Sequence, residues 1–265
     1  MSITRNEILE IKGLRNRKER ESSGLFVVEG LKSVIELWRS EVGIQRLFAT
    51  AKGTESLPAE MRTLATIVDT NAMSRISSLK TPPGILAVAK TPMMTEDQWI
   101  AEVSKKDSSL VVVADELSDP GNVGALVRIA DWFGCQGVAL TLGSADPFNA
   151  KSVQASMGSV FRVPLLVASA ETLVARLPFD WAVLDAAGNS LDDFNPPSRL
   201  ALVVGSESHG PVSNWKNTEV LGIPGGQSPD RPAAAESLNA SIAGAIAVAE
   251  ITRKRRQLGL MPSAH

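Results

Sequence analysis

Short apolar runs alternate with amphipathic stretches along the whole chain, and the rhythm restarts once, after about residue 105. Thr4-Arg5-Asn6-Glu7 has the spacing of a capping box and predicts a helix running to about Lys12. Leu25 to Val28 predicts a strand, and Leu31 to Arg39 an amphipathic helix. Ile44 to Ala49, Thr66 to Val68 and Ile85 to Ala89 are further short apolar runs, with helical patterns headed by Ser56 and Asn71 between them. This alternation predicts a small α/β domain ending near Lys90. Thr91 to Thr95 begins a linker, Glu96 to Val103 has a helical pattern, and Ser104 to Ser109 is polar.

The second half carries longer apolar runs. Leu110 to Ala114, Gly137 to Leu142, Val163 to Val167, Trp181 to Leu184, Leu200 to Val204 and Val220 to Ile223 predict strands. Several are apolar throughout, as expected when both faces of a sheet are covered. Helices are predicted over Val123 to Phe133, Ala150 to Ser156, Ala170 to Leu177 and Leu238 to Gln257. The expected fold is α/β, a mainly parallel sheet with helices on both faces. The expected domains are 1–95 and 106–265.

Charge changes this picture more than composition does. The net charge is −2, but basic residues outnumber acidic ones before residue 107 and acidic ones dominate from there to Thr252. Arg253-Lys254-Arg255-Arg256 then follow in a row. A polyanion would therefore be held by the N-terminal part, through Arg15, Arg17, Lys18 and Arg20, and by the basic tail. The alternative for the tail is a helix end whose cations suit the negative pole of the helix dipole. The single Cys135 excludes an internal disulfide and multi-cysteine metal sites, and two histidines exclude a His-based zinc site. No metal is expected. Met1 to Glu10 lacks a signal-peptide pattern and the longest apolar run is short, so a cytoplasmic protein is expected.

Ligands of open parallel sheets sit beyond the carboxyl ends of the strands. No G-x-x-x-x-G-K-[ST], G-x-G-x-x-G or G-x-S-x-G occurs there, which argues against P-loop, ordinary dinucleotide-binding and α/β-hydrolase chemistry. Three polar segments remain. Asp119 to Arg128 delivers Asn122 to the head of a helix, with Arg128 two turns in; Asn122 has a simple reading as an N-cap, and Arg128 one as an i,i+3 partner of Asp131. Gly205-Ser206-Glu207-Ser208-His209-Gly210 follows an apolar strand, where a glycine turn can approach a ligand and a carboxylate can orient a donor. Ser237-Leu238-Asn239 opens the last long helix, with Ser237 a candidate N-cap and Asn239 a weak helix former in its first turn.

Taken together, the three segments resemble the three motifs of SpoU-class, TrmH-like RNA 2′-O-ribose methyltransferases of the SPOUT superfamily. Lys151 to Gly158 with Phe161 to Pro164 resembles the stretch between the first two motifs, and Arg20 with Phe26 to Gly30 resembles the substrate-binding domain that precedes many such enzymes. The resemblance implies a catalytic domain closed by a deep trefoil knot, a small ribosomal-protein-L30e-like α/β domain before it, and a homodimer. It implies S-adenosyl-L-methionine as cofactor, lined by Gly205, Gly210, Ile223 and Leu238. Asn122, Arg128, Glu207, Ser237 and Asn239 are implied around the methyl group and the incoming ribose. One departure is the long Pro/Ala-rich stretch after Ile223-Pro224, from Gly225 to Ala235.

The expected function is methyl transfer to a ribose 2′-hydroxyl of structured RNA, ribosomal RNA before transfer RNA. The other readings are a non-catalytic dimeric RNA-binding scaffold and a SPOUT enzyme that methylates a base.

Overall fold

The computed structural model describes residues 3–206, 210, 211, 215, 218–225 and 237–261. It divides into two compact units, Met1–Pro92 with Asp146–Arg162, and Met93–Ala145 with Val163–His265. The expected boundaries, 1–95 and 106–265, put 146–162 in the second domain, whereas its packing puts it in the first unit.

The first unit holds four strands, β1 (Leu25–Glu29), β2 (Ile44–Ala49), β3 (Ala65–Ile67) and β4 (Ile85–Lys90), in the order β1-β4-β2-β3. β4 runs antiparallel to both neighbours, and β2 and β3 are parallel. The first helix, Arg5–Gly13, begins at the predicted capping box: Thr4 Oγ1 accepts from Glu7 N at 3.2 Å and Glu7 Oε2 accepts from Thr4 N at 2.8 Å. Ile8, Ile11 and Leu14 then pack on Phe48, Leu86 and Val88 of the sheet. Ser56 does not head a helix. It ends Ala51–Ser56, which Thr50 caps, because the following Leu57-Pro58 is held extended. Asp69 rather than Asn71 caps the next helix, Thr70–Ile76.

The segment 146–162 is bound to this unit by charge and by rings. Asp146 Oδ2 accepts from Arg20 Nε at 2.7 Å and Nη2 at 2.5 Å, and Arg20 Nη1 donates to the carbonyls of Leu14 and Arg15. Phe26 packs against Phe148 and Phe161, with ring centroids 5.0 and 6.0 Å apart. Arg162 reaches Glu36 at 2.7 Å.

The second unit is built on six strands, β5 (Ser109–Ala114), β6 (Gly137–Leu140), β7 (Leu165–Val167), β8 (Asp180–Ser190), β9 (Arg199–Val204) and β10 (Glu219–Gly222). Their order is β10-β8-β9-β5-β6-β7 and every pairing is parallel. β5 and β6 are buried along their whole length, which is why they read as unbroken apolar runs. The last helix, Ala240–Gln257, packs on helix Pro120–Trp132 and on β9. Gly244 allows this approach, since a Cβ there would lie 2.8 Å from Leu126 Cδ1. Among the described residues no helix is long and apolar enough to cross a membrane, and no cluster of potential metal ligands occurs.

The basic tail is largely structural. Lys254 Nζ donates to the carbonyls of Leu191, Asp192 and Phe194 at 2.5 to 2.9 Å, and buried Arg255 donates to Pro197 O, Ser198 O and Ser108 Oγ. Arg253 pairs with Glu250. Lys254 and Arg255 thus tie the last helix to its own unit, while Arg253 is exposed and paired within the helix.

Cys135 is buried, and loss of hydration pushes its thiol up to about 12. Iodoacetamide at pH 8 is expected to leave the native thiol unlabelled and to label it completely in denaturant, as intact-mass measurement would show. Labelling of the folded chain at the rate of a free thiol would contradict this burial.

Candidate active site

The polar residues gather beyond the carboxyl ends of β5, β6, β8 and β9. After β5 the chain turns through Asp115 to Asp119 into the helix Pro120–Trp132. Asp119, not Asn122, is its N-cap: Asp119 Oδ1 accepts from Asn122 N at 3.0 Å, and Pro120 takes the first helical position, where no N–H is needed. The Asn122 side chain is thereby left for another partner. Its Oδ1 accepts from Asn239 Nδ2 at 3.0 Å.

Asn239 caps the last helix, which begins at Ala240 rather than at the expected Leu238. Asn239 Oδ1 accepts from Ser241 N at 3.1 Å, Ser241 Oγ at 2.7 Å and Ile242 N at 3.2 Å. Those donors fix which end of the amide faces the helix, so Nδ2 must face Asn122. One side chain thus starts a helix and joins the first segment to the third across 117 residues. Ser237 and Leu238, just before it, are exposed.

Gly205 is buried at the end of β9. Ser206 and Gly210 exchange backbone hydrogen bonds of 3.1 and 2.9 Å, closing a tight turn. A Cβ on Gly205 would lie 2.2 Å from Pro211 N, so only glycine lets the two arms of this turn meet. Gly210 adopts φ +64°, the left-handed region that glycine enters without strain. A Cβ there would come within 3.5 Å of Asp185 Oδ2, which places that exposed carboxylate at the same turn. Leu184 to Gly188 stand out of the β8 ladder, because Val220 pairs with Val183 while Leu221 pairs with Asn189. Ile223, half-buried, follows β10 directly.

Arg128 is exposed on helix Pro120–Trp132. It stands six residues beyond Asn122, and at about 100° per residue it lies on a different face of the helix. Asn122 and Asn239 are brought together within one chain. Glu207 and His209 lie outside the described residues, as does most of the stretch from Gly225 to Ala235.

Of the four cations expected to grip a polyanion, Arg20 is 4% exposed and fully engaged with Asp146 and two carbonyls. That corrects its expected role: it ties segment 146–162 to helix Arg17–Ser23 and the turn at Leu14 and Arg15. Arg15 donates to the carbonyls of Ser77 and Arg75, and Arg17 pairs with Glu21 at 2.7 Å. Lys18 is exposed.

Sequence patterns missed a buried network at the same strand ends. Asp115 is 0% exposed; its Oδ1 accepts from Thr141 Oγ1 at 3.1 Å and its Oδ2 from Trp215 Nε1 at 2.9 Å. An acid directly after a wholly apolar strand was the available signal for Asp115. Nothing local marks Thr141 or Trp215.

A sulfonium nucleoside fits this arrangement. Gly205 and Gly210 leave main-chain groups open without side chains, Asp185 sets a carboxylate beside Gly210, and Ile223 is half-buried and Leu238 exposed.

The class of protein is given by the family match: the fold is that of the SPOUT-type methyltransferases. The chain belongs to the SpoU rRNA methylase family, whose model matches residues 109–249, and an MRM3-like substrate binding domain matches residues 5–87. It is accordingly an S-adenosylmethionine-dependent RNA methyltransferase. A chain of the TrmH family of RNA methyltransferases from Porphyromonas gingivalis is 32% identical and superposes with a TM-score of 0.79, over 95% of this chain and 99% of that one. The SpoU methyltransferase AviRb from Streptomyces viridochromogenes, solved with AdoMet, shares the fold at a TM-score of 0.81 and 23% identity, over 96% and 99% of the two chains. The 23S rRNA (guanosine(2553)-2′-O)-methyltransferase RlmP of Bacillus subtilis is 28% identical over 93% of this chain and 96% of its own length.

Proposed function

We propose that the chain methylates a ribose 2′-hydroxyl of structured ribosomal RNA. The observation that carries the reading is the Asn239–Asn122 hydrogen bond, which assembles a polar site at the strand ends from two distant segments. The likeness to RlmP along almost the whole chain supports ribosomal RNA as the substrate class.

S-adenosylmethionine, when bound, supplies an electrophilic methyl group on a sulfonium. Gly205, Gly210, Ile223 and Leu238 would hold it, mainly through backbone and apolar groups. Asn122, Ser237, Asn239 and Glu207 surround the ribose and orient its hydroxyl, so that much of the acceleration comes from alignment. Arg128 is a poor base, because a guanidinium stays protonated in proteins. Its role is to hold a substrate phosphate or to stabilise charge developing on the attacking oxygen.

A second copy of the chain completes this site. The last helix leaves Ile242 and Ile246 exposed one turn apart, and Trp132, one turn beyond Arg128, is 83% exposed. Apolar side chains left in this way on two helices that pack together mark an interaction surface. Docking two copies there brings Arg128 of one to the ribose site of the other. The C-terminal segment is threaded through a trefoil knot in this reading, and the first unit, of L30e-like type, binds the RNA with Lys18 and Arg17 among its contacts.

The test is methylation of purified ribosomal RNA with isotope-labelled cofactor, followed by alkaline hydrolysis. A 2′-O-methyl group removes the internal nucleophile of RNA cleavage, so the label should survive in dinucleotides. Label released in mononucleotides would mean base methylation. Folded protein that fails to bind S-adenosylmethionine or S-adenosylhomocysteine would instead be the non-catalytic scaffold.

A further inference from the structure

We infer that Asp115 is a positioning residue, which through the Trp215 indole holds the cofactor turn after β9 in its binding geometry. The inference rests on the proposed placement of the cofactor at Gly205 and Gly210. Asp115 directly follows β5, and its N–H donates to Val204 O at 2.9 Å, one residue before Gly205. Its carboxylate is fully buried between Thr141 and Trp215. A buried indole–carboxyl hydrogen bond is directional, and leaving either partner unmatched is costly. Trp215 is also stacked on Trp181 of β8, with ring centroids 5.0 Å apart and planes at 27°. Val204, which leads into Gly205, and Trp215 are therefore both held to Asp115, and Trp215 also to Trp181.

The same network reaches the ribose side of the site. Thr141 Oγ1, while donating to Asp115, accepts from Glu116 N at 2.9 Å. Glu116 holds φ +51°, a strained value for a residue with a side chain. Ser144 Oγ accepts from Leu117 N at 3.2 Å and donates to Ala114 O at 3.0 Å. The loop leading to Asn122 and the turn carrying Gly210 are thus referenced to one carboxylate. A shared reference of this kind keeps cofactor and ribose groups in register when either is empty.

The experiment is calorimetric titration of S-adenosylhomocysteine into the 265-residue chain and its Trp215→Phe variant, which keeps an aromatic ring and removes the N–H. The variant is expected to bind about tenfold more weakly, as follows if the binding-competent turn is populated about one-tenth of the time. Asp115→Asn should weaken binding in the same direction and serves if Trp215→Phe does not fold. Val103→Ala, a core truncation in the same unit, is the control: it should lower the melting midpoint and leave the affinity of the folded protein unchanged. Affinity of both network variants within twofold of the native protein would overturn the inference. So would a loss in Val103→Ala equal to theirs, which would reduce the network to a stability element. Failure of the native protein to bind would instead overturn the cofactor reading itself.

Discussion

Arg128→Ala is expected to lower methyl transfer to RNA by about 10²- to 10³-fold, the cost of removing one preorganised group that stabilises developing charge. Affinity for S-adenosylhomocysteine should stay as in the native protein, because Arg128 lies off the face of the helix that carries Asn122. Single-turnover rates and calorimetry on the same preparation separate the two effects. Mixing Arg128→Ala with Asn239→Ala protein gives a sharper result. If each ribose site takes its arginine from the other copy, hybrid dimers contain one site with both residues intact and recover part of the lost rate. A hybrid as inactive as its parents would place Arg128 in its own chain's site, and a native rate in Arg128→Ala would remove it from catalysis.

Arg20→Ala is expected to destabilise the first unit by roughly 3–5 kcal/mol, the penalty for leaving one partner of a buried ion pair uncompensated. The Arg20 and Asp146 side chains are 5% and 13% exposed, so solvent screens the pair little. Urea unfolding should show this as a lower midpoint for the transition of that unit. A loss below about 1 kcal/mol, the value of a surface pair, would mean that water replaces the guanidinium. Arg17→Ala, beside it in sequence but paired on the surface with Glu21, should cost little. The contrast matters because both belong to one basic stretch in the sequence, and only the fold shows which cation is internal.

Much of the fold is legible from periodicity. Helices 31–39, 96–103 and 150–156 and strand 44–49 fall where apolar spacing places them. Helix starts are less legible, because several Ser, Thr, Asp and Asn residues near each start compete for the cap. The true cap is the one whose oxygen meets the third N–H in space. Asp119 and Asn239 take positions that sequence gave to Asn122 and Ser237, and the displaced Asn122 becomes available to the site. Candidate site segments could be named because polar residues cluster at strand ends. Their joining could not, since the Asn122–Asn239 bond spans most of the second unit. Segment 146–162 illustrates the same limit: its helix is readable, but the acid that binds Arg20 lies 126 positions away.

That segment bears on how such a gene can be cut and rejoined. The expressed order is first unit, second unit, a return to the first, and the second again. Exchange at a single junction near residue 92 would separate Phe26 from Phe148 and Phe161 and leave Arg20 without Asp146. A new substrate-binding unit would have to arrive with a compatible 146–162 stretch, or find its rings and its charge mismatched. Recombination is thereby discouraged, and a change of RNA target is directed towards point substitution on the surface of an inherited pair.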